Sequence, residues 1–210
     1  MFTGIVQGIG TIIHVKASPS LTRYTVAFPE KLVFGLEQGA SISVHGVCQT
    51  VVAIHDQQVQ FDAIQETLQR TTLGNLAVGQ NVNLERSAKI GDEIGGHLLS
   101  GHIMGMGTIA GLDTLSDEQK ILTLQCDPIF IKYIFSKGYI ALNGASLTVV
   151  DVDPKGHFTV HLIPETLRAT TFGKAQLGEK VNIEIDSQTQ VTVESVERIL
   201  YTKQISSYSK

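Results

Sequence analysis

The sequence predicts an all-β protein: two tandem, duplicated barrels of about six short strands each, followed by one C-terminal α-helix. Three observations predict it. The chain states one pattern twice: Ala40–Val52 is answered by Gly138–Val150, Glu66–Gly74 by Glu165–Gly173, Gly79–Glu85 by Gly178–Glu184 and Gly4–Ile12 by Gly101–Ile109, at offsets of 97 to 99 residues. Two copies at so long a period indicate a duplicated domain, because a solenoid needs several short repeats. Within each copy the apolar and β-branched residues come in short runs bounded by glycine and turn residues, the pattern of strands. Only from Val191 does the apolar spacing become helical.

Taken in order, the first copy contains a strand at Thr50–Ile54, a polar turn at His55–Gln58 and a return strand at Val59–Ala63. The second copy repeats this hairpin, with Ile140, Leu142, Leu147, Val149, Val150 and Val152 in strand runs, the turn Asp153–Gly156, and a strand at His157–Ile163. Proline presets φ in that turn and glycine takes the positive value. The segments Thr67–Thr72 and Thr166–Thr171 each predict one short helix. Six or so strands in about 90 residues suit a small closed barrel, which leaves no strand edge exposed. Between the copies, Arg86–Ser100 reads as a polar, glycine-rich linker. At the end, Val193, Val196, Ile199 and Leu200 form an apolar stripe opposite Glu194, Glu197 and Arg198. Such a stripe packs either on its own barrel or on another subunit, and both readings stay open.

Composition narrows the function. Hydrophobic residues make up 42% of the 210 and charged residues 17%, an ordinary globular balance. A net charge of −4 offers no basic face to nucleic acid or an anionic membrane. No run approaches the ~18 apolar residues of a membrane span, and the opening Met1–Ile5 lacks the basic region of a signal peptide, so the cytoplasm is expected. Cys48 and Cys126 occupy non-equivalent places in the repeat, which argues against a disulfide.

Two clusters carry candidate chemistry. Cys48 and Ser146 are equivalent in the repeat, each two residues before a threonine, Thr50 or Thr148, whose side chain shares its face of the strand. Small residues beside a glycine turn, with a buried thiol, are the plain alternative. A duplication that places polar atoms at the same point in both copies favours a pair of sites. The second cluster is Gly95–His102, where His102 beside glycine is suited to proton transfer. His97 reads as a structural histidine of the linker. The spacing of the two histidines fits neither a helix face nor a compact zinc motif, so no metal is expected. Gly105–Ala110 matches a dinucleotide fingerprint, yet no helical periodicity follows and Gly8–Gly10 repeats its start in the other copy. It reads as a barrel corner. No phosphate-binding loop, hydrolase nucleophile elbow or zinc-protease motif is present.

The stretches Met1–Val6, Gly95–His102, Asn143–Thr148 and Ile163–Leu167 resemble the riboflavin synthase alpha-chain family, in order and over nearly the whole chain. The resemblance implies two six-stranded Greek-key barrels, with lumazine-binding barrels at 1–96 and 97–189 and an oligomerisation helix and tail at 190–210. It implies a homotrimer in which the N-terminal barrel of one subunit faces the C-terminal barrel of its neighbour. Lumazine synthase is a further possible partner. It also implies the reaction: two molecules of 6,7-dimethyl-8-ribityllumazine dismutate to riboflavin and 5-amino-6-ribitylaminopyrimidinedione. No cofactor is implied, because the acidic C7 methyl group of the lumazine supplies the carbanion.

Carried over by position, the first pocket would use Gly4, Ile5 and Val6, Cys48, Gln49 and Thr50, and Asp62, Ala63, Ile64, Gln65, Glu66 and Thr67. The second would use Gly101, His102 and Ile103, Ser146, Leu147 and Thr148, and His161, Leu162, Ile163, Pro164, Glu165 and Thr166, while Lys137 and Ser41 also fall at substrate-binding positions. Ser146 and Thr148, with His102, are expected to manage the proton at one lumazine, and Cys48 to assist addition at the other. His45 stands against Asn143 and Gln49 against Leu147, differences expected to alter the first pocket. The resemblance also covers the lumazine proteins of luminous bacteria, which bind one ligand and catalyse nothing. Ser100, His102, Cys48, Ser146, Glu66 and Glu165 favour the enzyme.

Overall fold

The computed structural model describes residues 1–116 and 119–208; the last two positions of the expected 190–210 tail lie outside them. The first copy supplies β1 (Gly8–Ala17), β2 (Leu21–Ala27), the single turn α1 (Glu30–Val33), β3 (Ser41–Val44), β4 (Val47–His55), β5 (Gln58–Ile64), α2 (Gln65–Arg70) and β6 (Asn81–Arg86). The second supplies β7 (Gly105–Ser116), β8 (Gln119–Gln125), β9 (Tyr139–Leu142), β10 (Ala145–Asp153), β11 (His157–Leu162), α3 (Pro164–Ala169) and β12 (Lys180–Ile185), and α4 (Ser187–Tyr208) follows. Each set of six strands closes into an antiparallel barrel in the order β1-β2-β5-β4-β3-β6 and its counterpart β7-β8-β11-β10-β9-β12. Placing β2 beside β5 and β3 beside β6 is the Greek-key arrangement. Side chains alternate along β4, so that Val47, Gln49 and Val51 face inward while Cys48 and Thr50 face outward. Each barrel encloses its own apolar core.

The glycines read as a barrel corner lie inside strands instead. Gly107 is in β7 and Gly10 in β1, and a Cβ on Gly107 would stand 2.8 Å from Ile183 Cδ1. They open space in a narrow interior. Helix α4 begins four residues earlier than the apolar spacing predicts, because Asp186 caps it, accepting from Thr189 N at 2.9 Å and Thr189 Oγ1 at 2.7 Å. Its first turn is polar and invisible to hydrophobic periodicity. The helix docks on its own barrel through Tyr133 to Glu194, Lys132 to Glu197 and the packing of Val193. Val191, Val196, Ile199 and Leu200 remain more than half exposed.

The barrels meet through reciprocal contacts of equivalent residues. His45-Gly46 and Asn143-Gly144 form two-residue hairpin turns with positive φ throughout (53° and 88°, 48° and 82°). The turns abut so closely that a Cβ on Gly46 would lie 2.6 Å from Gly144 N. Two buried asparagines complete the junction. Asn83 Nδ2 donates to Asn143 O (2.9 Å) while its Oδ1 accepts from Thr171 N (2.8 Å); Asn182 Nδ2 donates to His45 O (2.8 Å) while its Oδ1 accepts from Thr72 N (2.8 Å). His45 therefore belongs to the junction and not to a pocket. Its Nδ1 accepts from Asn83 N at 3.1 Å, the role Asn143 Oδ1 plays toward Asn182 N at 2.8 Å. Burial lowers its pKa to about 4, keeping the imidazole a neutral acceptor. Gln49 likewise turns inward, where its Oε1 accepts from Tyr24 OH at 3.1 Å and its Nε2 donates to Cys48 O at 2.9 Å.

Candidate active site

Two short straps build the site. Ahead of β1, Thr3 and Gly4 are gripped by the buried Glu85 carboxylate of β6, which accepts from Thr3 N (2.6 Å), Thr3 Oγ1 (2.8 Å) and Gly4 N (3.1 Å). Ahead of β7, Glu184 of β12 grips Ser100 N (2.7 Å), Ser100 Oγ (2.8 Å) and Gly101 N (3.1 Å) in the same way. Burial raises the pKa of both acids, against the pull of these donors. Phe2 and Leu99 pair between the straps, with Phe2 N to Leu99 O at 2.8 Å and Leu99 N to Phe2 O at 2.9 Å. Beyond that bridge each strap crosses to the other barrel. Gly4 O accepts from Ser146 N at 2.8 Å, and Gly101 O accepts from Cys48 N at 2.9 Å. Val6 packs on the second core and Ile103 on the first.

This crossing corrects the expected grouping. Gly4–Val6 line the cleft beside Ser146 of the second barrel, and Gly101–Ile103 take the equivalent place, the first cleft, beside Cys48 of the first barrel. The positions carried over from the family resemblance place each strap with the barrel that follows it. The approach is close in both places: Gly4 (φ 76°) and Gly101 (φ 78°) take left-handed conformations, and a Cβ on either would stand 2.6 Å from the Cβ of Ser146 or Cys48.

The second cleft is lined by Gly4, Ile5, Val6, Ala145, Ser146, Glu165 and Thr166. Thr148, His161 and Ile163 are exposed on the neighbouring β10–β11 surface. Glu165 and Pro164 open α3, and Arg168 donates to the Glu165 carboxylate at 2.9 Å and holds its pKa down. Ser146 Oγ lies 2.6 Å from His97 Nδ1, and His97 stacks on Tyr139 with centroids 5.0 Å apart. The histidine assigned to the linker is thus the one that meets the serine. His102, expected there, follows Gly101 on the first-barrel strap and is exposed, its N donating to Ser100 Oγ at 3.1 Å.

The first cleft has the half-buried Cys48, whose thiol has no hydrogen bond among the described residues, with Thr50 outward and paired in register with Ser41. Asp62 is held by Arg23 in a two-pronged pair, both contacts at 2.7 Å, which lowers its pKa. Ile64 and Gln65 are exposed at the start of α2, Thr67 is half-buried, and Glu66 pairs with Arg70. Four of the expected site residues turn the other way: Gln49, Ala63, Leu147 and Leu162 point into the barrels, because a continuous range along a strand takes in both faces. Lys137 occupies a turn with φ 68° where the first copy has Gly39 at 87°. A lysine kept in that conformation costs strain a glycine would avoid.

Sequence reasoning missed Glu85 and Glu184 and read His97 as structural. The two glutamates did carry a signal, since Asn-x-Glu closes both copies at Asn83–Glu85 and Asn182–Glu184. His97 lies in the Gly95–His102 cluster, but nothing along the chain ties it to Ser146. Among the described residues no group of three His, Cys, Asp or Glu side chains is arranged to hold a metal, and no helix is long and apolar enough to cross a membrane.

Two matches to the lumazine binding domain cover residues 3–87 and 100–186, the two barrels with their straps. The chain belongs to the lumazine-binding family. Within it, the chain is 48% identical to the riboflavin synthase of Escherichia coli (strain K12) over 204 residues, spanning 97% of this chain and 95% of that one. It is 42% identical to the riboflavin synthase of Chlamydia pneumoniae over 200 residues, or 95% and 97% of the two chains. Among lumazine-binding proteins of known structure it resembles LumP complexed with riboflavin (TM-score 0.83, 29% identity) and LumP complexed with 6,7-dimethyl-8-(1'-D-ribityl) lumazine (0.81, 28%), each covering 89% of this chain and 100% of the other.

Proposed function

We propose that the chain is a riboflavin synthase, converting two molecules of 6,7-dimethyl-8-ribityllumazine into riboflavin and 5-amino-6-ribitylaminopyrimidinedione by transfer of a four-carbon unit. The observation that carries the reading is the pair of equivalent positions, each with a polar side chain, Cys48 or Ser146, hydrogen-bonded through its backbone N to a strap held by the other barrel. A reaction between two copies of one substrate needs two related seats, and holding both converts an encounter into an oriented contact. Relatives at 42% to 48% identity along nearly the whole chain carry the riboflavin synthase name, which supports the enzyme over a non-catalytic antenna protein.

In this reading Ser146 and Thr148 serve proton transfer at one lumazine, while Cys48 and His102 serve addition at the other. No cofactor takes part. Asp62, Glu66, His161 and Glu165, with the exposed Ile64 and Ile163, border the seats for the ring and ribityl chain. The active assembly is a homotrimer in which the first cleft of one subunit faces the second cleft of its neighbour, a reading supported by the exposed apolar residues of α4. Lumazine synthase, as the supplier of substrate, is a fitting partner. The two free thiols suit the reducing cytoplasm. The test is to incubate the purified protein with 6,7-dimethyl-8-ribityllumazine and follow riboflavin absorbance. Turnover without additives is expected; tight stoichiometric binding without turnover would sink the reading.

A further inference from the structure

We propose that His97 receives the proton of Ser146, so that the second cleft is where the C7 methyl group of one lumazine is deprotonated. This rests on the riboflavin synthase reading and assigns unequal parts to its two clefts. Four features of the geometry point the same way. His97 is 7% exposed and its ring is fixed face to face with Tyr139, the planes 17° apart. Its Nδ1 is 2.6 Å from Ser146 Oγ. Its other nitrogen, Nε2, is buried and has no hydrogen-bond partner among the described residues. The segment is also seated tightly, since a Cβ on Gly96 would lie 2.6 Å from Ser146 Cβ and 2.5 Å from Thr3 O.

With Ser146 donating to Nδ1, the imidazole proton occupies Nε2 and the ring is neutral. Burial favours that neutral base, lowering the pKa of His97 against the field of Asp186, which raises it. The charged and titratable groups around the ring are Tyr139 of β9, Asp186 between β12 and α4, and the chain terminus at Met1, which lines the same cavity as His97 and Asp186. In the step, the C–H bond of the C7 methyl group breaks and its proton moves to Ser146 Oγ as the serine proton moves to Nδ1. The electron pair stays on the lumazine, delocalised from the exocyclic carbon into the ring system. The resulting imidazolium is stabilised by the Asp186 carboxylate. No oxidant or second reagent is needed. The first cleft has no such arrangement: the residue equivalent to Ile5 on its strap is His102, which is exposed.

Exchange of the C7 methyl protons of 6,7-dimethyl-8-ribityllumazine with D2O, followed by proton NMR alongside riboflavin formation, reads this step directly. Ser146→Ala, His97→Ala and the double variant are expected to slow exchange by a similar factor of about a hundred, without multiplying, because the two residues act as one unit. His97→Asn keeps a hydrogen-bonding atom near the Nδ1 position but holds no proton, so it is expected to fold and bind ligand while remaining slow in exchange. Exchange by His97→Asn at the wild-type rate would overturn the proposal, leaving His97 a mere prop for the serine. Wild-type rates in both His97 variants would overturn it outright while leaving the synthase reading intact. If the wild-type protein itself makes no riboflavin, the synthase reading fails first.

Discussion

Ser146 and Cys48 occupy equivalent positions on β10 and β4, and each donates its backbone N to the carbonyl of a strap glycine, yet their surroundings differ. The serine hydroxyl meets a buried histidine from the segment joining the barrels. The cysteine thiol meets none, and the histidine of its cleft, His102, lies in the open on the strap. Duplication copied the backbone faithfully. What broke the symmetry was the joining segment, whose residues lean on Ser146, together with single exchanges along the straps, Ile5 against His102. Two identical substrates can thereby be given different tasks.

The largest test of this comparison breaks the straps. Gly101→Ala and Gly4→Ala combine overpacking with left-handed strain, about 3 kcal/mol, and turnover should fall about a hundredfold. The damage should cross over: Gly101→Ala should empty the first cleft and Gly4→Ala the second, each leaving one riboflavin site per chain by fluorescence titration. Loss of the same cleft in both variants would refute the crossing. Next, Ser146→Ala should lower kcat about a hundredfold, and Cys48→Ser, which keeps a nucleophilic oxygen, about tenfold. Equal losses in steady-state kinetics would mean that the two clefts are chemically alike.

A smaller effect separates the two junction turns. His45 is buried with its pKa lowered from 6.5 to about 4, so the unfolded chain binds more protons than the folded one between those values. Its contribution is therefore present above pH 6.5 and is lost as pH falls toward 4, by about 2 kcal/mol at about pH 5. His45→Asn, which copies the Asn143 turn, should flatten that part of the pH dependence in urea denaturation. The smallest effect is expected inside the barrel. Gln49→Leu, copying Leu147, strands the Tyr24 hydroxyl and should cost about 1 kcal/mol with turnover unchanged, and Tyr24→Phe in the same chain should restore the stability.

Much of this architecture is legible in the sequence. The strands, the Asp153–Gly156 turn and the short helices after each hairpin follow from local chemistry, and the repeat located Cys48 and Ser146 as a pair. Other features were hidden for identifiable reasons. The start of α4 escaped because a carboxylate cap, unlike an apolar stripe, leaves no periodicity. Gln49, Ala63, Leu147 and Leu162 were placed with the site because ranges of sequence ignore the alternation of a strand. His97 reads as linker along the chain because its partner, Ser146, is 49 positions away.

By itself, then, the sequence determined the duplication, the β class, the hairpins and the pair of polar positions, all of which depend on neighbours along the chain or on its resemblance to itself. The tertiary structure decided which strap serves which cleft and which histidine meets the serine. Glu85 and Glu184 reach straps 82 and 84 residues away. Those contacts exist only after two barrels have closed and met, when burial leaves the strap amides no water to bond and the glutamates become their acceptors.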